Sequence, residues 1–153
     1  MQVLRHQILD LINVVYCETN IDSSDACAIA NEVNELVKVF GIREGKKLWF
    51  VLRRNQDCAA IEAILFPIDP PASKKGSLYT IRERIHIESA VKIRHEGDWD
   101  LLEETVAYLD RYIEEHNLTM ITTYYCSVLA GLEHDGLRDV IVDIYVGVSR
   151  NIV

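Results

Sequence analysis

Two adjacent tyrosines, Tyr124 and Tyr125, lie inside a β-forming run from Thr119 to Leu129. Side chains alternate along a strand, so the pair points to opposite faces, and one of the two must face the core or a pocket. A tyrosine there offers an aromatic wall and a hydroxyl handle, or simply packs across strands. Two carboxylates interrupt otherwise apolar runs: Glu62 between Ala59 and Phe66, and Asp143 between Val140 and Val148. Each either faces water, as one side of an antiparallel sheet commonly does, or is buried at a site with a partner, because an unpaired buried charge is too costly. A buried carboxylate attracts a cation or serves as a general base. Trp49 and Tyr145 are also mid-strand, and Trp49 either packs in the core or faces Tyr145 or Tyr125 across a groove. Trp49, Glu62, Tyr124, Tyr125, Asp143 and Tyr145 therefore form the candidate ligand-binding set. Tyr124 or Tyr125 with Glu62 is the candidate catalytic pair.

Other chemistries find less support. His95 precedes Gly97 at a helix start, where it either shuttles protons or hydrogen-bonds the turn. His86 and Glu88 share a strand face without a third ligand, so no metal site is expected. His6, His116 and His134 read as surface residues. Cys17, Cys27, Cys58 and Cys126 show neither CxxC nor zinc spacing, and cysteines scattered among apolar residues behave as small hydrophobes in a reduced, cytoplasmic setting. There is no G-x-S-x-G, no phosphate-cradling glycine loop and no H-E-x-x-H, so no cofactor is expected. The net charge is −8, and acidic residues surround the basic cluster Arg43, Lys46, Lys47, Arg53 and Arg54. Both facts argue against direct nucleic-acid binding, which needs unopposed Lys and Arg. Neither a signal peptide nor a run long enough to span a bilayer is visible.

The elements that must position these residues follow from periodicity. Trp99, Leu102, Val106, Leu109 and Ile113 share one face of a helix over 98–116, with Asp98 as its N-cap and Asn117 as C′ residue. Ile29, Val33, Leu36 and Phe40 form the stripe of a helix over about 24–40, with Asp22, Ser23 and Ser24 as caps and Gly41 as stop. β-Branched alternation marks strands at 47–54, 59–67, 119–129 and 139–149, and long extended stretches at about 2–18 and 78–95 precede the helices. Asp69 to Ser77, with paired prolines, reads as a linker. The halves share the order strand, helix, strand, strand. The expectation is one α+β domain over 1–153, with repeat one at about 2–68, a linker at about 69–77 and repeat two at about 78–149. Its antiparallel sheet would carry both helices on one side, and a groove would lie between the repeats. Joining two copies also buries edge strands.

His95-Glu96-Gly97-Asp98-Trp99-Asp100-Leu101-Leu102 resembles the His-x-Gly-x-aromatic-x-x-Leu lead into the second helix of gyrase-inhibitor-like domains. These also form the effector-binding domains of bacterial multidrug-responsive transcription activators. Asp143-Ile144-Tyr145-Val146-Gly147-Val148 resembles that family's closing strand, with Gly147 where proline is usual. The match covers about 85–149. The resemblance implies tandem units with a pocket between them and three functions: binding amphipathic or cationic small molecules, inhibiting a protein partner, or hydrolysing reactive small molecules. It also implies a Glu just before a Tyr on the strand after the second helix. Here Thr122 and Thr123 hold that place ahead of Tyr124 and Tyr125, which leaves Glu62 of the other half to replace it. With no attached DNA-binding helix-turn-helix, the chain reads as a stand-alone binding domain. The alternatives are a protein-interaction module and a hydrolase.

Overall fold

A computed structural model describes residues 1–40, 48–54, 59–67, 79–131 and 137–150. The order is β1 (Val3–Asp22), α1 (Ala26–Phe40), β2 (Leu48–Arg54), β3 (Ala59–Pro67), β4 (Tyr79–Gly97), a 3-10 turn (Trp99–Leu101) running into α2 (Leu102–Glu115), β5 (Leu118–Ala130) and β6 (Val140–Arg150). This is the expected α+β order. The first strand of each half runs further than its alternation suggested, to Asp22 and Gly97. Gly41, the 69–77 linker, the Arg43–Lys47 stretch, Cys58 and His134 lie outside the described residues.

Every strand pairing is antiparallel, and the sheet closes on itself in the order β1-β3-β2-β5-β6-β4, with β4 returning to β1. Closure leaves no open edge to recruit another chain. Each half contributes its strands as first, third, second. The two junctions, β2 with β5 and β1 with β4, join strands that hold the same place in their halves. Two apolar layers result. Ile29, Val33 and Leu36 of α1 and Leu102, Val106, Leu109 and Ile113 of α2 cover the outer strand face, on Phe50, Ile64, Ile93 and Ile144. Leu9, Val14, Tyr16, Trp49, Val51, Ala63, Leu65, Ile85, Ile87 and Ala90 meet on the helix-free face, which closure turns inward.

The expected caps of α1 are divided differently. Asp25 is the cap, its carboxylate accepting from the Ala28 N–H at 3.0 Å. Asp22 instead closes the preceding turn by accepting from the Ser24 N–H and hydroxyl, and the Ser23 carbonyl accepts the Trp99 indole N–H at 2.6 Å. Asp98 caps the 3-10 turn through the Asp100 N–H, and Asn117 ends α2 in the left-handed region at φ 54°. His95 is buried with both ring nitrogens engaged, one with the Thr105 hydroxyl at 2.7 Å and the other with the Asp98 carbonyl at 2.8 Å. It holds the lead-in to α2 and has no spare nitrogen for proton transfer. Among the described residues no helix is long and apolar enough to cross a membrane.

Gly147 is explained by its neighbour. A Cβ there would stand 2.8 Å from the Thr122 methyl and 2.9 Å from an Ile87 methyl, and its N–H donates to the Thr122 hydroxyl at 2.9 Å. Gly147→Pro would remove that donor and add the clash. It is expected to cost about 2–4 kcal/mol, read by urea denaturation.

Candidate functional site

Strand register assembles four of the six candidate residues, Trp49, Tyr125, Asp143 and Tyr145, into two cross-strand rows on the inward face. One row runs Tyr16, Leu65, Trp49, Ser127, Asp143, Arg94. The other runs Ala63, Val51, Tyr125, Tyr145, Lys92. Trp49 meets Tyr145 with ring centroids 5.6 Å apart and planes tilted by 41°, a favourable offset aromatic contact. Trp49 is 6% exposed, whereas Tyr125 and Tyr145 are half-buried beside the inner cluster. The aromatic surface therefore runs from the interior toward solvent.

Glu62 sits at a bulge. Val51 pairs with Ala63 and Leu52 with Ile61, leaving Glu62 with no residue opposite. The extra residue switches the strand's facing, so Ile61 joins the helix-side core while Ala63 joins the inner cluster. The Glu62 carboxylate lies 3.8 Å from the Arg53 guanidinium. Its charge reaches two of the inner-face tyrosines, Tyr16 and Tyr125. Burial, and next to it the Glu62 carboxylate, hold the Tyr16 phenol above its ordinary value, while Arg82 works against them. Burial likewise raises Tyr125, with Arg82 opposing and Glu62 adding. Arg82 lies over the Tyr16 ring at 3.8 Å, a cation–π contact. Both phenols stay protonated at neutral pH, so they act as hydrogen-bond donors and not as bases.

Tyr124 takes the opposite face. It is packed in the helix-side core, and its hydroxyl donates to Asp110 of α2, which also accepts from Arg54 at 2.6 Å. Burial first, then the Asp110 hydrogen bond and charge, push its phenol far up. A cleft of about 420 Å³ opens beside this trio and is also lined by Thr122 and Thr123. Tyr124 and Glu62 are thus on different faces, and the carboxylate that bonds a tyrosine hydroxyl is Asp110. Thr122, one of the two threonines that the resemblance sets at the place of a Glu, accepts from the Gly147 N–H at 2.9 Å.

Asp143 is only 4% exposed. Arg94 grips it with two hydrogen bonds, at 2.8 and 3.1 Å, and Lys92 stands 3.5 Å away and 5.6 Å over the Tyr145 ring. Burial alone would raise this carboxyl. The Arg94 hydrogen bonds and the Lys92 charge outweigh it and leave the group below the ordinary aspartate value. A depressed folded value means the carboxylate stabilises the fold above the unfolded pKa near 3.8. That contribution fades as pH falls through the lower folded value. Asp143→Asn is expected to cost about 1–3 kcal/mol at pH 7. The gap to wild type should narrow on acidification, as followed by chemical denaturation from pH 7 to pH 3. A gap independent of pH would show that the charge has no part in it.

Tyr16, Arg82, Lys92, Arg94, Ser127 and the Asp110–Arg54 pair were not among the residues that sequence pattern singled out. Lys92 and Arg94 alternate with Val91 and Ile93, which reads as a wet face, and the alternation carries no sign that the sheet closes over it. Ser127 Oγ is buried without a hydrogen-bond partner, alone in this among the side-chain polar atoms of the described residues. It lies between Trp49 and Asp143 in the first row. Among the described residues no cluster of three or more His, Cys, Asp or Glu could hold a metal.

The six-stranded antiparallel barrel with two outer helices belongs to a known structural class. EcmrR in complex with DNA, in the assembly termed EcmrR-RPo, superimposes with a TM-score of 0.72 at 13% identity, over 97% of this chain and 58% of that one. This chain therefore spans a little over half of that protein's length. The EcmrR C-terminal domain by itself matches with a TM-score of 0.66 at 14% identity, over 99% of this chain and 100% of that domain. A hydrolase from Listeria innocua matches with a TM-score of 0.59 at 14% identity, over 97% and 92% of the two chains. No protein-family model matches the sequence, and no curated protein does. The likeness is one of fold, and at that level it agrees with the resemblance to gyrase-inhibitor-like domains.

Proposed function

We propose that the chain is a small-molecule-binding domain whose ligand, an amphipathic or aromatic compound, lies on the inward face of the barrel. On this reading residues 2–68 and 78–149 act as two equivalent units with the ligand between them. Trp49, Glu62, Tyr125, Asp143 and Tyr145 line the site. Tyr124 holds β5 to α2 from behind. The observation that carries the reading is the Trp49–Tyr145 pair, continued by half-buried Tyr125 and set beside a buried hydroxyl with no partner. An aromatic wall with a few convergent polar groups is the usual build of a ligand pocket. The fold shared with the EcmrR C-terminal domain supports it by analogy. Cys17 and Cys126 are buried thiols, pushed up by burial to about 11 and about 12 respectively. They suit a reducing cytoplasm and take no part in the binding.

A thermal-shift screen of the whole chain against amphipathic cations, neutral aromatics and aromatic carboxylates tests the proposal. A compound at a hundred times its Kd stabilises the native state by about 2.7 kcal/mol. For a chain of this size that raises Tm by roughly 5–10 °C. Absence of any shift across the three classes would remove the reading.

A further inference from the structure

We propose that the Asp143 end of the inward face is a subsite for an anionic head group, a carboxylate carried on an aromatic or aryl-alkyl body, received by Lys92, Arg94 and the Ser127 hydroxyl. The inference rests on the binding role proposed above and specifies the ligand's charge.

The argument is one of spare hydrogen-bonding capacity. Asp143 is the one buried carboxylate among the described residues, and both its oxygens are already engaged by cations. Oδ1 accepts from Arg94 Nε, while Oδ2 accepts from Arg94 Nη2 and faces Lys92 Nζ. A cation arriving there meets two cations and a carboxylate with only one of its roughly four acceptor sites left. What remains unused are mainly donors. An ammonium carries three N–H groups, and Lys92 directs one toward Asp143 while lying over the Tyr145 ring. Ser127 Oγ, opposite Asp143 on the neighbouring strand, has no partner. A buried hydroxyl without a partner carries a desolvation cost that a ligand acceptor would relieve.

Charges on the surrounding elements do not reverse this. Glu96 lies further along β4 and acts on Arg94 behind Asp143. It is exposed, where solvent and salt screen it. At the Tyr16 end, Arg53 and Arg82 stand against Glu18 and Glu62, a balance that selects neither sign. The bias therefore comes from the Asp143 end. It runs opposite to the chain's overall charge of −8. The Trp49–Tyr145 pair beside it supplies the surface for the aromatic body.

Titration calorimetry of the whole protein with phenylhexanoate, phenylhexylammonium and phenylhexanol separates the outcomes. The carboxylate is expected to bind about ten-fold tighter than the ammonium, with the alcohol between them. Lys92→Gln should narrow the carboxylate–ammonium gap by roughly three- to ten-fold while the alcohol holds, the scale of one charge-assisted hydrogen bond. Asp143→Asn, which releases Arg94 and Lys92, should tighten the carboxylate. Ammonium binding as tight as the carboxylate, with the alcohol still bound, would overturn the head-group inference and leave the binding face intact. Carboxylate binding that survives both Lys92→Gln and Trp49→Ala unchanged would place the probe elsewhere and overturn it too. No binding by any of the three would remove both. The comparison of three ligands on the wild-type chain requires no variant to fold.

Discussion

Trp99→Ala is expected to lower stability by about 3–5 kcal/mol, the cost of truncating a fully packed large aromatic. For a chain of this length that is a fall in Tm of roughly 6–20 °C. Trp99 is 2% exposed. Its ring meets Phe50 edge-on, at 5.8 Å between centroids and 89° between planes. Its indole N–H bonds the Ser23 carbonyl. The residue therefore joins the start of the second helix to β2 and to the end of β1, and its loss loosens one half from the other. Trp99→Phe keeps most of the ring and removes the donor, so a smaller loss of about 1–3 kcal/mol is expected. Urea and thermal melts of the two variants separate packing from hydrogen bonding. Equal losses would show that the Ser23 contact, and not the ring, holds the junction.

Trp49→Ala is expected to weaken binding of an aromatic ligand by about thirty-fold or more, as losing a central aromatic anchor costs on the order of 2 kcal/mol. Trp49→Phe, which keeps a ring against Tyr145, should lose much less. Trp99→Phe should leave affinity unchanged, because Trp99 packs in the helix-side core. Truncating Trp49 also opens a void in the inner cluster, so affinities are to be compared by calorimetry on protein shown to be folded at the working temperature. An unaltered Kd in Trp49→Ala would move the ligand site off this face.

The element order was legible because local rules decide it. The stripes of Val33 and Leu36, and of Val106, Leu109 and Ile113, needed only helical spacing to be read. The strands around Trp49, Ile64, Cys126 and Ile144 needed only β-branched alternation. His95 was legible as one of two roles, and its bonds to Thr105 and Asp98 decide for the turn. The α1 cap was misplaced by a residue or more because Asp22, Ser23, Ser24 and Asp25 are all competent caps. The choice falls on the residue whose carboxylate reaches the Ala28 N–H once the chain has turned.

The facing of polar residues was not legible, and here the local rules fail for a physical reason. Alternation states that Lys92 shares a side with Arg94, and Asp143 with Tyr145, but not that the two pairs meet or whether that side faces water. Nor does it show that a bulge at Glu62 changes the facing of β3, since a bulge depends on the register of its partner strand.

By itself, then, the order of amino acids determined which segments become helices and strands, and which side chains share a face within a regular helix or unbulged strand. Those are consequences of backbone preference and periodicity within a few residues. Only the tertiary structure decided that β4 returns to β1 and makes the helix-free face an interior. Only it set Arg94 and Lys92 on Asp143, and turned Tyr125 in and Tyr124 out. These contacts join residues dozens of positions apart, and their energies exist only once the barrel has closed.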